Sequence, residues 1–121
     1  MPPFHHLAIR VRDCKASAAF YARVFGLAEV RRVEDEEAVR AVWLRAGDMV
    51  LMLEQSLRGA GSLEGSAHVL VLGTTDMAAA EQRLEALSIA VSDRTHSTVY
   101  FQDPDGHRCG LSVFRFDGNP A

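Results

Sequence analysis

Two histidines, each followed by an apolar run and then an aspartate, are the residues of this chain best suited to chemistry. The first segment runs from His6 to Asp13 and the second from His68 to Asp76. The histidines are 62 residues apart and the aspartates 63, so the segments align with one residue of slippage. This repeat predicts two similar halves around one axis. We expect His6 and His68 to meet at the centre, where imidazoles bind a metal ion or hydrogen-bond a ligand.

The composition favours an ordinary globular domain. The chain has 121 residues, of which 48% are hydrophobic and 24% charged, enough for a sizeable core. A net charge of −3 provides no basic face, so we expect no nucleic-acid partner. No apolar run approaches the roughly 20 residues that span a bilayer, and the first residues do not resemble a signal peptide. With Cys14 and Cys109 far apart, these features favour a protein of the cytoplasm without disulfides.

Periodicity and turn residues predict the elements of each half. The first half is predicted to hold a strand, a helix that Asp13 caps and Gly26 ends, and three further strands, over residues 4–11, 16–25, 28–33, 39–45 and 49–54. The second half repeats this order, with Asp76 as the helix cap, over residues 67–72, 77–87, 89–92, 98–102 and 107–114. We expect one domain over 1–121, with modules at 4–54 and 67–115 and a glycine-containing connector at 55–66.

Alternation along the strands assigns side chains to faces. In the first strand, His6, Ala8 and Arg10 share the face away from the helix. The same counting adds Met52, Glu54, Tyr100 and Arg108 to that surface, and it also places His68, Leu70 and Leu72 there. Alternation does not decide the side on which Trp43 lies. A hollow that mixes polar and apolar groups in this way is typical of a small-molecule site.

Three segments of the chain together resemble the vicinal oxygen chelate superfamily, which includes glyoxalase I, bleomycin-resistance proteins, extradiol dioxygenases and fosfomycin-resistance transferases. They are the HLAIRVRD of residues 6–13, the AFYARVFGL of residues 19–27 and the YFQDPDGHR of residues 100–108. The resemblance covers nearly the whole chain. It implies an α+β fold of two βαβββ modules that form an incomplete barrel with a concave ligand-binding hollow, often as a homodimer.

In metal-dependent members of this superfamily, histidines and carboxylates hold a divalent ion that polarises vicinal oxygens of a substrate. By position, the resemblance places the two histidine ligands at His6 and His68. The two carboxylate positions fall on Met52 and Gly110, so both carboxylates are absent. Glu54, two residues further along its strand and about 7 Å away, is the expected substitute if its side chain bends back. The resemblance also places Tyr100 where transferase-like relatives contact substrate with a tyrosine.

Two functions follow from these residues. The absent carboxylates favour a metal-poor binding or resistance-type protein whose ligand contacts Arg10, Met52, Tyr100 and Arg108. The arginines suit a carboxylate or phosphate, and the methionine suits an apolar or aromatic group. The alternative is a lyase, isomerase or dioxygenase. In that reading His6, His68 and Glu54 hold zinc, nickel, iron or manganese.

Overall fold

A computed structural model describes residues 3–56 and 68–116 of the chain. These residues belong to two compact units, Met1–Gly65 and Ser66–Ala121. Most of the predicted connector 55–66 lies outside the described residues. The first unit contains β1 (His6–Arg10), α1 (Cys14–Phe25), β2 (Ala28–Glu34), β3 (Val39–Ala46) and β4 (Met49–Glu54). The second contains β5 (Leu70–Gly73), α2 (Met77–Ala86), β6 (Asp93–Arg94), β7 (Thr98–Gln102) and β8 (Arg108–Ser112).

Each unit is one open, four-stranded mixed sheet with one helix, so the predicted α+β class and βαβββ order are confirmed. The strand order is β1-β4-β3-β2 in the first sheet and β5-β8-β7-β6 in the second. In each sheet the first strand of the unit pairs in parallel with the last, and the other pairings are antiparallel. Within the described residues, no helix has the length and apolar character needed to cross a membrane.

The predicted helix signals are also confirmed. The Asp13 side chain accepts a hydrogen bond from the backbone N–H of Ala16, and Asp76 accepts one from Ala79 in the same way. Each bond satisfies a backbone donor that the first helical turn leaves without a partner. Gly26 ends α1 in the left-handed region at φ 72°, where a residue without Cβ is favoured.

The predicted strand at residues 89–92 is wrong. Ser88 adopts a positive φ of 59°, and the N–H of Ile89 donates back to the carbonyl of Leu84 in the last turn of α2. The backbone is therefore still tied to the helix where alternation predicts a strand. The strand paired with β7 spans only Asp93 and Arg94, just after Ser92, whose N–H already donates to the Tyr100 carbonyl.

The Asp103–Gly106 turn is held by hydrogen bonds from the backbone to a side chain. The buried Asp103 carboxylate accepts hydrogen bonds from the backbone N–H groups of Asp105 and His107, at 2.9 and 2.8 Å. Gly106 adopts a positive φ of 86° there. The turn directs the chain from β7 into β8 and so places Arg108 opposite Gln102.

Candidate functional site

The face of the first sheet that points away from α1 carries most of the predicted site residues of that unit. Across the β1–β4 pair, His6 lies opposite Val50, Ala8 opposite Met52 and Arg10 opposite Glu54. The intervening Leu51 and Leu53 are fully buried on the other face. Met52 and Glu54 therefore share a surface with His6 and Arg10, as the alternation predicts.

Glu54 lies at the opposite end of this face from His6. Four residues of strand separate their positions, which is about 13 Å at 3.3 Å per residue. A zinc ion bonds its ligands at about 2 Å, so the two side chains would have to reach toward each other along most of the strand. In the described part of the chain, no three histidine, cysteine or acidic side chains gather closely enough to hold a metal ion.

His6 has a neighbour that alternation does not predict. The Nδ1 atoms of His5 and His6 are 2.8 Å apart, within hydrogen-bonding distance, and the two rings meet edge to face. His5 precedes β1, so its side chain is not bound by the strand's alternation. His5 can therefore contact His6 although the two residues are adjacent in sequence. Both histidines are exposed.

Trp43, whose side the sequence leaves open, lies on this same face. It is opposite Met52 in β4 and opposite Arg31 in β2, and the Arg31 guanidinium lies 5.2 Å from the centre of the indole ring. The indole Nε1 is buried and has no hydrogen-bond partner among residues 3–56 and 68–116. A buried donor without a partner carries a desolvation penalty, so it marks a place where an acceptor is missing.

A pocket of about 220 Å³ opens beside Trp43. It combines two small apolar side chains with the indole, a carboxylate, a guanidinium and two further polar groups; its lining residues are Val33, Arg40, Ala41, Trp43, Glu54, Gln55 and Ser56. Of these, sequence reasoning selected only Glu54. The alternation of β3 could have selected Trp43 as well had its register been known, because Val42 and Leu44 on either side of it are fully buried.

Ion pairs hold Arg40 at the rim of this pocket. Its guanidinium donates to Asp35 at 2.9 Å, to Gln55 at 2.8 Å and to Glu37 at 3.4 Å. Asp35 also accepts hydrogen bonds from the backbone N–H groups of Ala38 and Glu37. The Ala38 bond, the Arg40 contact and the Glu37 bond together lower the pKa of Asp35 from 3.8 to about 2. The tip of the β2–β3 hairpin is therefore exposed but internally bonded.

On the second sheet, Tyr100 and Arg108 lie on the face opposite to the buried Val99, Phe101 and Cys109. The Arg108 guanidinium stands 5.9 Å from the centre of the Tyr100 ring. Such a cation–π contact orients both side chains. The structure thus brings together the two predicted ligand-binding residues of this unit.

Gly110 lies directly between these side chains and β5. A Cβ atom at this position would meet the Val99 carbonyl oxygen at 3.0 Å, and the Tyr100 ring and Val71 at 3.2 Å each. The position that the resemblance assigns to a glutamate therefore has no room for a side chain without displacement of its neighbours. Met52, at the other carboxylate position, pairs with Ala8 and Trp43. The residues at these two positions do not fit the superfamily's metal centre.

The predicted face of β5 is wrong. Leu70 pairs with Cys109 and Leu72 with Leu111, and Cys109 and Leu111 are buried on the helix side. The exposed Val71 pairs with Gly110. Equivalent hydrogen bonds, from Val11 to Glu54 and from Thr74 to Ser112, end the two parallel pairs. His6 lies five residues before the donor Val11, and Val69 lies five residues before the donor Thr74. The counterpart of His6 is therefore Val69, not His68. The histidine-based alignment is off by the one residue of slippage.

His68 itself is exposed and lies just before β5, outside the regular strand. The meeting of His6 and His68 in one hollow stays a prediction. So does the sharing of that hollow by Arg10, Met52, Tyr100 and Arg108.

The fold agrees with comparisons to known proteins. The chain belongs to the Glyoxalase/Bleomycin resistance protein/Dioxygenase superfamily, whose model matches residues 4–111. This confirms the resemblance drawn from the sequence. Among curated proteins, none matches the chain.

Three solved structures illustrate the range of similar proteins. A mutant of the fosfomycin resistance protein FosX from Listeria monocytogenes, complexed with Mn(II) and 1S,2S-dihydroxypropylphosphonic acid, superposes with a TM-score of 0.77 at 16% identity, over 95% of this chain and 94% of that one. Lactoylglutathione lyase from Agrobacterium tumefaciens gives 0.69 at 26% identity, over 93% and 95%. TnmS3, an antibiotic binding protein from Streptomyces sp. CB03234, gives 0.70 at 21% identity, over 93% and 95%.

Proposed function

We propose that this protein binds a small organic molecule without a metal ion, as a binding or resistance-type member of its superfamily. The observation that carries the proposal is the loss of both carboxylate positions. Gly110 is closed over by Tyr100 and Val71, and Met52 offers a thioether beside an indole. A thioether next to an aromatic ring suits an apolar or aromatic ligand better than a hard divalent ion.

The remaining predicted residues supply polar contacts in this proposal. Arg10 and Arg108 bind anionic or carbonyl oxygens of the ligand, Tyr100 packs against it, and His6 and His68 hydrogen-bond to it. The antibiotic-binding neighbour supports this class of function. The protein acts as a homodimer in the cytoplasm, with no nucleic-acid or membrane partner.

The second candidate is a divalent-metal enzyme that acts on a vicinal-oxygen substrate. The Mn(II) in the FosX structure and the similarity to a lactoylglutathione lyase favour it. In this chain it would rest on His6 and His68, with Glu54 as the available carboxylate. The distance between Glu54 and His6 along their strands counts against that ligand set.

Thermal unfolding in the presence of zinc, nickel or manganese separates the two candidates. A metal that binds only the folded chain stabilises it by about 2.7 kcal/mol at a hundred times its dissociation constant. We expect no such rise in Tm for the wild type. His6→Ala, His68→Ala and the control His96→Ala, at an exposed turn residue, should respond alike. A rise in Tm that disappears in His6→Ala and His68→Ala but persists in His96→Ala would contradict the proposal and support the enzyme.

A further inference from the structure

The pocket beside Trp43 contains one hydrogen-bond donor and one acceptor that have no partner in the part of the chain that the structure describes. Trp43 contributes the donor, the buried indole N–H. Glu54 contributes the acceptor, because its half-buried carboxylate makes no hydrogen bond or ion pair with any described residue. Both belong to the lining of the same pocket. Unsatisfied polar groups on a cavity wall indicate what an occupant must supply.

Two other charged side chains, Arg40 in the pocket lining and Arg31 against Trp43, are already engaged. Arg40 is bound by Asp35, Glu37 and Gln55, so its charge is neutralised within the hairpin. Arg31 lies over the Trp43 ring. What is left for an occupant is therefore the Glu54 carboxylate, the indole N–H and the apolar surface of Val33 and Ala41.

We infer that this pocket is a subsite for a flat group that presents an amine or amide N–H to Glu54 and an acceptor oxygen to Trp43. The inference rests on the proposed small-molecule function and specifies its ligand chemistry. A volume of about 220 Å³ accommodates a single ring with one polar substituent. It is smaller than the roughly 300–1,000 Å³ of a complete ligand site, so the subsite holds one part of a larger molecule.

Trp43 is the chain's one tryptophan, so its fluorescence reports on this pocket alone. Three fragments of similar size serve as probes for the full chain: benzamide carries both a donor and an acceptor, benzylamine only a cationic donor, and benzoate only an acceptor. We expect benzamide and benzylamine to change the Trp43 emission saturably, at millimolar concentration. Benzoate should not, because it would bring a second negative charge to Glu54.

Glu54→Gln separates the two contacts. The substitution keeps a carbonyl acceptor and removes the charge, so benzylamine should lose roughly tenfold in affinity while benzamide changes little. Glu85→Gln, an exposed carboxylate in α2, is the matched control and should leave both affinities unchanged. Trp43→Phe, followed by ligand-observed NMR, should weaken benzamide and spare benzylamine.

Three results would overturn the inference. The first is that benzoate binds as tightly as benzylamine. The second is that benzylamine binds wild type and Glu54→Gln with equal affinity. The third is that none of the three probes changes the Trp43 emission. An organic ligand that binds the protein without changing the Trp43 emission would also end this subsite. That last result would contradict the subsite but not the proposed function. Stoichiometric metal binding, by contrast, would contradict the proposed function itself.

Discussion

Gly110 lies beneath the Tyr100 ring and beside Val71, in the middle of β8. The Val99 carbonyl oxygen and the Tyr100 ring, both from β7, and the Val71 side chain from β5 close the space where a Cβ would project. Tyr100 can therefore lie flat over the strand and meet Arg108. The absence of a side chain at Gly110 thus removes a carboxylate and leaves the space that the Tyr100 ring occupies.

We expect Gly110→Ala to destabilise the fold by about 1–3 kcal/mol, since neighbours in a packed site must shift to admit the methyl group. Chemical denaturation would measure this loss as a lower midpoint. Adding Val71→Ala removes one of the three close contacts and should recover part of it. Gly73→Ala, where the nearest atom is 3.9 Å away, is the control and should be close to neutral. A Gly110→Ala protein as stable as the wild type would refute the close packing.

The β2–β3 hairpin is the element that shapes the rim of the Trp43 pocket. Its tip is held by Asp35, which accepts from two backbone N–H groups and from Arg40. Because folding lowers the pKa of Asp35 below its unfolded value of 3.8, its contribution is fully present above that value. It is lost only as the pH falls through about 2. The rim should therefore stay ordered in mildly acidic solution.

An NMR titration of the side-chain carboxyl carbon tests this directly, with an expected midpoint near pH 2 for Asp35. Arg40→Met should raise the pKa only part of the way toward 3.8, since the Ala38 hydrogen bond is the larger cause and remains. Arg32→Met removes a neighbouring arginine that pairs with Glu29 instead, and should leave the titration unchanged. A wild-type midpoint near 4 would show that the hairpin tip is not bonded as described.

Prediction from sequence succeeded for elements that local chemistry determines. Asp13 and Asp76 were recognisable as helix caps because the side-chain type and the following apolar spacing are sufficient signals. The face of β5 was not, because a shift of one residue moves every side chain of a strand to the other side. Aligning the two segments by their histidines or by their aspartates gives registers that differ by one residue, so the sequence left the face of β5 undecided. The position of Trp43 likewise depended on a register that only strand pairing reveals.

At the scale of the whole molecule, two units of the same βαβββ order each present a face of mixed polar and apolar side chains. The first offers Arg10, Met52 and the Trp43 pocket, and the second offers Tyr100 and Arg108 over Gly110. Neither face retains the carboxylate that the superfamily's metal site would require at that position. These two faces therefore support the proposed binding of an organic ligand.

Native mass spectrometry of the 121-residue chain, after exchange against zinc, nickel and manganese in turn, tests this proposal most directly. We predict the mass of the polypeptide alone, or of the polypeptide with an organic adduct, and no stoichiometric metal in any of the three exchanges. One metal ion per chain in the wild type, absent from both His6→Ala and His68→Ala, would contradict the account.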